Sequence, residues 1–160
     1  MKTFFAITLS TLISLNLLAQ TPGLKISKAT HRKTYSGASP LIIHQYQIIL
    51  KKTIASDIKI ESITAIADGN PIEFSIAYAG GKNNNKLIEN NLIKAENKAA
   101  LKIQFSQTEQ GATDRRGRPT ENNGESIDLS EGIKIVYTIE EKQYTVELKK
   151  FEELTPVKGK

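Results

Sequence analysis

The chain has 160 residues, no cysteine and a formal charge of +5, with 22 Lys and Arg against 17 Asp and Glu. That length suits one domain, large enough to bury on the order of 70% of its unfolded surface without disulfides. The absence of cysteine excludes thiol nucleophiles, Cys-ligated zinc, iron–sulfur clusters and a lipid-modified cysteine anchor.

Residues 1–19 have the build of an export signal. Lys2 is the only charge, Phe4 to Leu18 is apolar but for Thr, Ser and Asn, and Leu17-Leu18-Ala19 ends on a small residue. The apolar run is too short and too polar for a spanning helix, and Pro22-Gly23 follow at once. Export is expected to remove 1–19, leaving a domain at 20–154 and a short basic tail at 155–160, expected to fray, in the periplasm or outside the cell and without a membrane anchor.

Nineteen isoleucines beyond residue 19, with no Met or Trp there, favour strands, because a β-branched side chain suits a pleated half-buried surface. Residues 24–34 begin in alternation (Leu24, Ile26) and then turn polar, as an edge strand should. Residues 41–50 are apolar on both phases at each end, which predicts a central strand covered on both faces. Residues 57–67 switch phase between Ile58, Ile60 and Ile63, Ala65, which predicts a bulge near Glu61-Ser62. Asp68-Gly69-Asn70 then predicts a hairpin turn into Ile72, Phe74, Ile76 and Tyr78. Leu87-Ile88 and Leu92-Ile93 flank Asn90-Asn91 as a short strand or a helical turn. Leu101, Ile103 and Phe105 mark one further strand.

Ile133, Ile135, Tyr137 and Ile139 alternate with Lys134, Val136, Thr138 and Glu140, and Tyr144, Val146 and Leu148 continue in the same way. These two runs predict a closing hairpin with Glu141-Lys142 at its tip. Ile139 would then face Tyr144, Tyr137 Val146 and Ile135 Leu148, while Lys134 would lie opposite Lys149, a mildly unfavourable pair. Seven or eight short strands with regular turns predict an all-β antiparallel sandwich of immunoglobulin-like type, with a small barrel or jelly roll as the alternative.

Acidic and basic residues alternate (Glu140-Glu141-Lys142, Glu152-Glu153 beside Lys149-Lys150), so the basic excess forms no one-faced patch and nucleic acid is not an expected partner. The familiar catalytic motifs are missing: no GxSxG, HExxH, Walker loop or GxGxxG. His44 shares its strand phase with Ile42, Tyr46, Ile48 and Leu50 and reads as a partly buried, hydrogen-bonded histidine. His31 precedes Arg32 and Lys33, whose charges oppose a bound cation, and no other ligand has the right spacing. No metal or cofactor is expected. Glu121 to Glu125 and Asp128 are rich in oxygen but miss the EF-hand spacing.

The candidate ligand site lies in the long segment 108–130. Arg115, Arg116 and Arg118 stand beside Asp114 and Glu121, and arginine suits bidentate contact with carboxylate or phosphate. An anionic ligand or an envelope protein is the expected partner. If the segment is solvated, replacing the three arginines by alanine should change stability by under about 1 kcal/mol in thermal unfolding, since exposed ion pairs contribute little.

The ending Leu-Leu-Ala-Gln of the signal, the strand–Asp-Gly–strand unit at 57–78 and the closing run IKIVYTIEEKQYTVELKKF resemble small exported β-sandwich proteins of Bacteroidota. The resemblance implies a periplasmic or surface location and carries over no functional residue. Two functions remain. One is a non-catalytic binding or structural module of the envelope, favoured by the absence of any polar-lined pocket above about 300 Å3. The other is a small envelope hydrolase, favoured by two carboxylates roughly 5–10 Å apart in a cleft.

Overall fold

The computed structural model describes residues 23–35, 41–80, 85–94, 98–108 and 127–158. The expected export signal at 1–19 and the candidate ligand-site residues Asp114, Arg115, Arg116, Arg118 and Glu121 lie outside the described residues.

Among the described residues ten strands follow in order: β1 (Leu24–Tyr35), β2 (Leu41–Lys52), β3 (Ile58–Ala65), β4 (Ser75–Tyr78), β5 (Leu92–Ile93), β6 (Lys98–Thr108), β7 (Ile133–Ile139), β8 (Lys142–Leu148), β9 (Glu152–Glu153) and β10 (Val157–Lys158). A 3-10 turn at Glu89–Asn91 precedes β5. The strands form two open sheets, one ordered β10-β1-β2-β6-β4 with β9 also on β1, the other β5-β3-β7-β8. The fold is therefore an all-β sandwich, and neither sheet closes into a barrel. The runs β1-β2-β6-β4 and β3-β7-β8 reproduce the ABED and CFG orders of the immunoglobulin sandwich.

The core is built by alternation. Tyr46, Ile48 and Leu50 of β2, with Leu101 and Ile103 of β6, face Ile58, Ile60, Ile63, Ile133, Ile135 and Tyr137 of the other sheet, and all are buried. Strand β2 is central in pairing, as expected, but one face is wet: Gln45 and Gln47 are exposed and Ile43 and Ile49 only half-buried. Its apolar ends therefore reflect partial cover rather than a second packed layer.

The predicted bulge in β3 is present, with the register against β7 shifting between Ile60 and Ser62. The turn at Asp68-Gly69-Asn70 is present too, with Gly69 at φ 73° and Ile72 N–H donating to Ile63 O at 2.9 Å. The expected hairpin does not continue beyond it. After the single bridge Thr64–Pro71 the chain leaves β3, and Ser75–Tyr78 joins the opposite sheet against β6. The bridge is closed by Ala65 N–H donating to Asn70 O and Ile72 N–H donating to Ile63 O, and the pairing ends there as the chain crosses over.

The closing hairpin has its tip one residue earlier than expected. Glu140 and Glu141 form the loop, and Tyr137 faces Tyr144, Ile135 faces Val146 and Ile133 faces Leu148. The apolar face is the same, because the register moves by two in the residue sum and parity is kept. The physical gain is visible on the other face, where Lys134 now opposes Glu147 in place of Lys149. Both loop residues have positive φ, 48° and 67°, the geometry of a type I′ turn normally filled by Asn-Gly. Glu141→Gly is therefore expected to raise stability by about 1 kcal/mol in urea unfolding, and an unchanged midpoint would contradict the turn geometry. The tail expected to fray pairs Val157 and Lys158, both exposed, in parallel with Thr34 and Tyr35.

Candidate functional site

The inner face of β1 is set by a bulge at Ser27, where the register against β2 slips between Ile26 and Lys28. Before it Leu24 and Ile26 point inward. After it the phase flips, and Ala29, His31 and Lys33 stand opposite Ile48, Tyr46 and His44, on the core side. Without the bulge Lys28, Thr30 and Arg32 would occupy that face. The bulge thus brings two polar side chains to the mouth of the sandwich.

There they meet a column of flat rings. His31 stacks on Tyr46 with centroids 4.1 Å apart and planes at 4°, and His44 stacks on Phe105 at 4.9 Å and 6°. The two imidazoles are themselves 5.2 Å apart at 9°, and Phe151 meets Tyr46 edge-on at 4.8 Å. Such contacts fix ring orientation as well as adding dispersion.

Three groups form a hydrogen-bonded chain. Both carboxylate oxygens of Glu153 lie 2.8 and 2.9 Å from His31 Nδ1, and His31 Nε2 lies 3.1 Å from His44 Nδ1. His31 is 4% exposed, whereas the Glu153 side chain is 67% exposed. Glu153 is delivered by β9, which runs parallel to β1, and Leu154 N–H donates to His31 O at 2.8 Å. At the far end of the chain, His44 Nε2 is shielded from water and has no hydrogen-bond partner among the described residues. An unpaired buried polar atom costs about 1–3 kcal/mol, so it is a candidate contact for a group that the described residues do not supply.

His44 lines a cavity of about 380 Å3, together with His31, Lys33, Phe105, Phe151 and Glu153. Segment Ile127–Ser130 and Lys150 complete its rim. The volume falls within the range of small-molecule sites and lies above the roughly 300 Å3 whose absence favours the binding or structural module, so the pocket criterion itself does not support that reading. Burial, with His31 and Lys33 adding to it, holds the His44 pKa below the ordinary imidazole value against the opposing Glu153 charge. Burial likewise pushes the Tyr46 phenol up to about 12, with Glu153 and Asp128 adding to it, so that ring stays neutral. Asp128 is held below the usual carboxylate range by the Ser130 amide, which donates to Oδ1 at 2.9 Å.

Of the residues singled out by sequence, His44 is half-buried and hydrogen-bonded as expected, but only through one nitrogen. His31, for which sequence supported only the reading that Arg32 and Lys33 oppose a bound cation, sits inside, with Arg32 outward and Lys33 beside the cavity. Glu153, the third member, gave no signal of its own, because it lies 122 residues from His31. Among the described residues, no group of three or more His, Asp or Glu is arranged to hold a metal ion, and no helix is long and apolar enough to cross a membrane. A scan of protein-family models, a search of curated proteins and a search of solved structures each found no match. The chain's class is thus set by its own architecture: a two-sheet β-sandwich with a carboxylate–histidine–histidine chain at the rim of a cavity.

Proposed function

We propose that the chain is a non-catalytic binding module of the cell envelope that holds a small organic ligand in the cavity beside His31 and His44. One observation carries the reading: a cavity of about 380 Å3, walled by stacked rings, borders a histidine whose Nε2 has no partner among the described residues. Stacked walls with one or two placed polar atoms are the usual build of a small-ligand site. The envelope location rests on the signal-like residues 1–19.

The carboxylate-pair hydrolase is the weaker reading at this cavity. Asp128 is held ionised by the Ser130 amide, and both oxygens of Glu153 are taken by His31. Neither suits the role of a general acid, which needs a carboxyl kept protonated.

The test is side-chain NMR of residues 20–160, with imidazole signals followed as small organic acids, amides and amines are added. Binding should move the His31 and His44 signals. His44→Phe, which keeps a flat ring against Phe105, should keep the fold and lose the response. If no compound moves either histidine, the reading fails.

A further inference from the structure

Beyond the cavity reading, we propose that the outer edge of β8 docks a second copy of this chain, antiparallel and centred on Thr145, so that one sheet runs through both molecules. Among the described residues the other outermost strands are short. Strand β4 has four residues and β5, β9 and β10 two each, and β9 and β10 cover the outer side of β1 from Thr30 onward. Strand β8 is seven residues long, pairs only with β7 among the described residues, and has neither a proline nor a bulge. An uncovered edge of that length is a template for another strand.

The turn decides which backbone groups of β8 are free. The type I′ loop at Glu140-Glu141 makes Ile139 and Lys142 a hydrogen-bonded pair, and the alternation continues through Tyr137 with Tyr144 and Ile135 with Val146. The amides and carbonyls of Gln143, Thr145 and Glu147 therefore point away from β7. Leu148 O, by contrast, lies against Gly132 on the β7 side. The side chains of Gln143, Thr145 and Glu147 are exposed, while Tyr144, Val146 and Leu148 on the inner face are only half-buried.

Beside that inner face lies an open cleft. A cavity of about 580 Å3 is walled by Val146 and Leu148 on one side and Leu24 and Ile26 of β1 on the other. It shares no lining residue with the His31 cavity. A strand laid along β8 adds its own inner-face side chains to this apolar gap.

Strand β8 itself fits that place, because its two ends carry opposite charge. Glu140 and Glu141 stand at the turn, Lys149 and Lys150 follow the far end, and all four are exposed. Antiparallel pairing about Thr145 sets Glu141 opposite Lys149 of the other copy and Gln143 opposite Glu147, with Thr145 facing itself on the axis. On the inner face Tyr144 meets Val146 at the mouth of the cleft. About six N–H···O bonds close the joint. Centring on Tyr144 would instead set Glu141 against Glu147, and centring on Val146 would set Lys142 against Lys150. Parallel pairing in register would set every charge against its own kind. Like charges directly opposite are unfavourable, so charge selects both direction and register. The contact uses the same patch on both chains and closes at two copies. One strand pair makes a small interface, so a dissociation constant on the order of 10–100 μM is expected.

The experiment is sedimentation velocity of residues 20–160 from about 1 μM to 1 mM, where the mass should rise to twice that of one chain. Thr145→Lys, at an exposed side chain, should weaken association roughly fivefold or more by setting two ammonium groups face to face, with urea unfolding of the single chain unchanged. Glu141→Lys and Lys149→Glu should each weaken association, and the double variant should recover it, which a role in folding alone would not produce. Because the chain has no cysteine, Thr145→Cys reads the register directly. Under oxidised glutathione it should link two chains, whereas Gln143→Cys, which the pairing sets opposite Glu147 and not itself, should not. A single-chain mass at every concentration overturns the inference. So does association indifferent to both Thr145→Lys and the charge exchange, or equal linking through positions 143 and 145. None of these results touches the cavity reading, whose test is read at His31 and His44.

Discussion

Tyr137→Ala is expected to lower the unfolding free energy by about 3–5 kcal/mol, and Ile135→Ala by about 2–5. Both side chains are fully buried on the inner face of β7, and the Tyr137 ring stacks on Tyr144 at 5.8 Å. Removing either leaves a hole between two sheets that are each held by their own ladders, so the walls cannot easily collapse into it. On the opposite face Lys134 is exposed, and Thr138 donates to Glu61 Oε1 at 2.9 Å near the surface. Lys134→Ala and Thr138→Ala should cost under about 1 kcal/mol. Urea unfolding of the four variants reads the difference; similar losses on the two faces would mean that β7 is packed on both sides.

A second large effect is expected at Gly132, just before β7. Its φ is 97°, and a Cβ built there would collide with the Leu148 carbonyl oxygen and Lys149 Cα, both backbone atoms. Gly132 also accepts from Ile66 N–H and donates to Leu129 O, each at 3.0 Å, so it has little room to turn away. Gly132→Ala should therefore cost on the order of 4 kcal/mol, combining backbone strain and overpacking of roughly 1–3 each. Gly69→Ala makes the control. Its φ is similar at 73°, but a Cβ there meets nothing within 4 Å, so only the strain of roughly 1 kcal/mol remains. Thermal unfolding should rank the two variants clearly. Equal shifts would show that the close approach of β8 to Gly132 does not constrain the fold. Because Leu129 and Ser130 border the cavity, Gly132→Ala should also weaken ligand binding beyond its effect on stability.

Much of the architecture was legible from alternation, and its failures have a common physical source. The bulge in β3 leaves a trace because apolar residues flank it on both sides, so Ile58 and Ile60 fall out of phase with Ile63 and Ala65. The bulge in β1 leaves none, since the residues after Ser27 are largely polar on both phases, and no pattern exists to be broken. That one slip is what turns His31 and Lys33 inward, so the site was hidden at the same place as the irregularity. The hairpin tip was misplaced because Glu140-Glu141 lacks the glycine or asparagine that marks a primed turn. The crossing from β3 to the sheet of β4 was missed because Ile72, Phe74, Ile76 and Tyr78 keep perfect alternation through it. Glu153 could not have been assigned from spacing at all. Its meeting with His31 depends on a two-residue parallel pairing at the outer edge of β1.

That pairing has a kinetic consequence. Strand β9 is held by two residue pairs, the Leu154 amide and the burial of Phe151, while β1 and β2 are joined along nearly their whole length. The segment 150–154 is thus the part of the site that can detach while both sheets persist, at a free energy well below that of global unfolding. Detachment would release the carboxylate from His31 and uncover the Tyr46 ring together. Amide exchange at Leu154 should therefore be faster than at Ile48 or Leu101, and a ligand resting on Phe151 and His44 should slow it selectively.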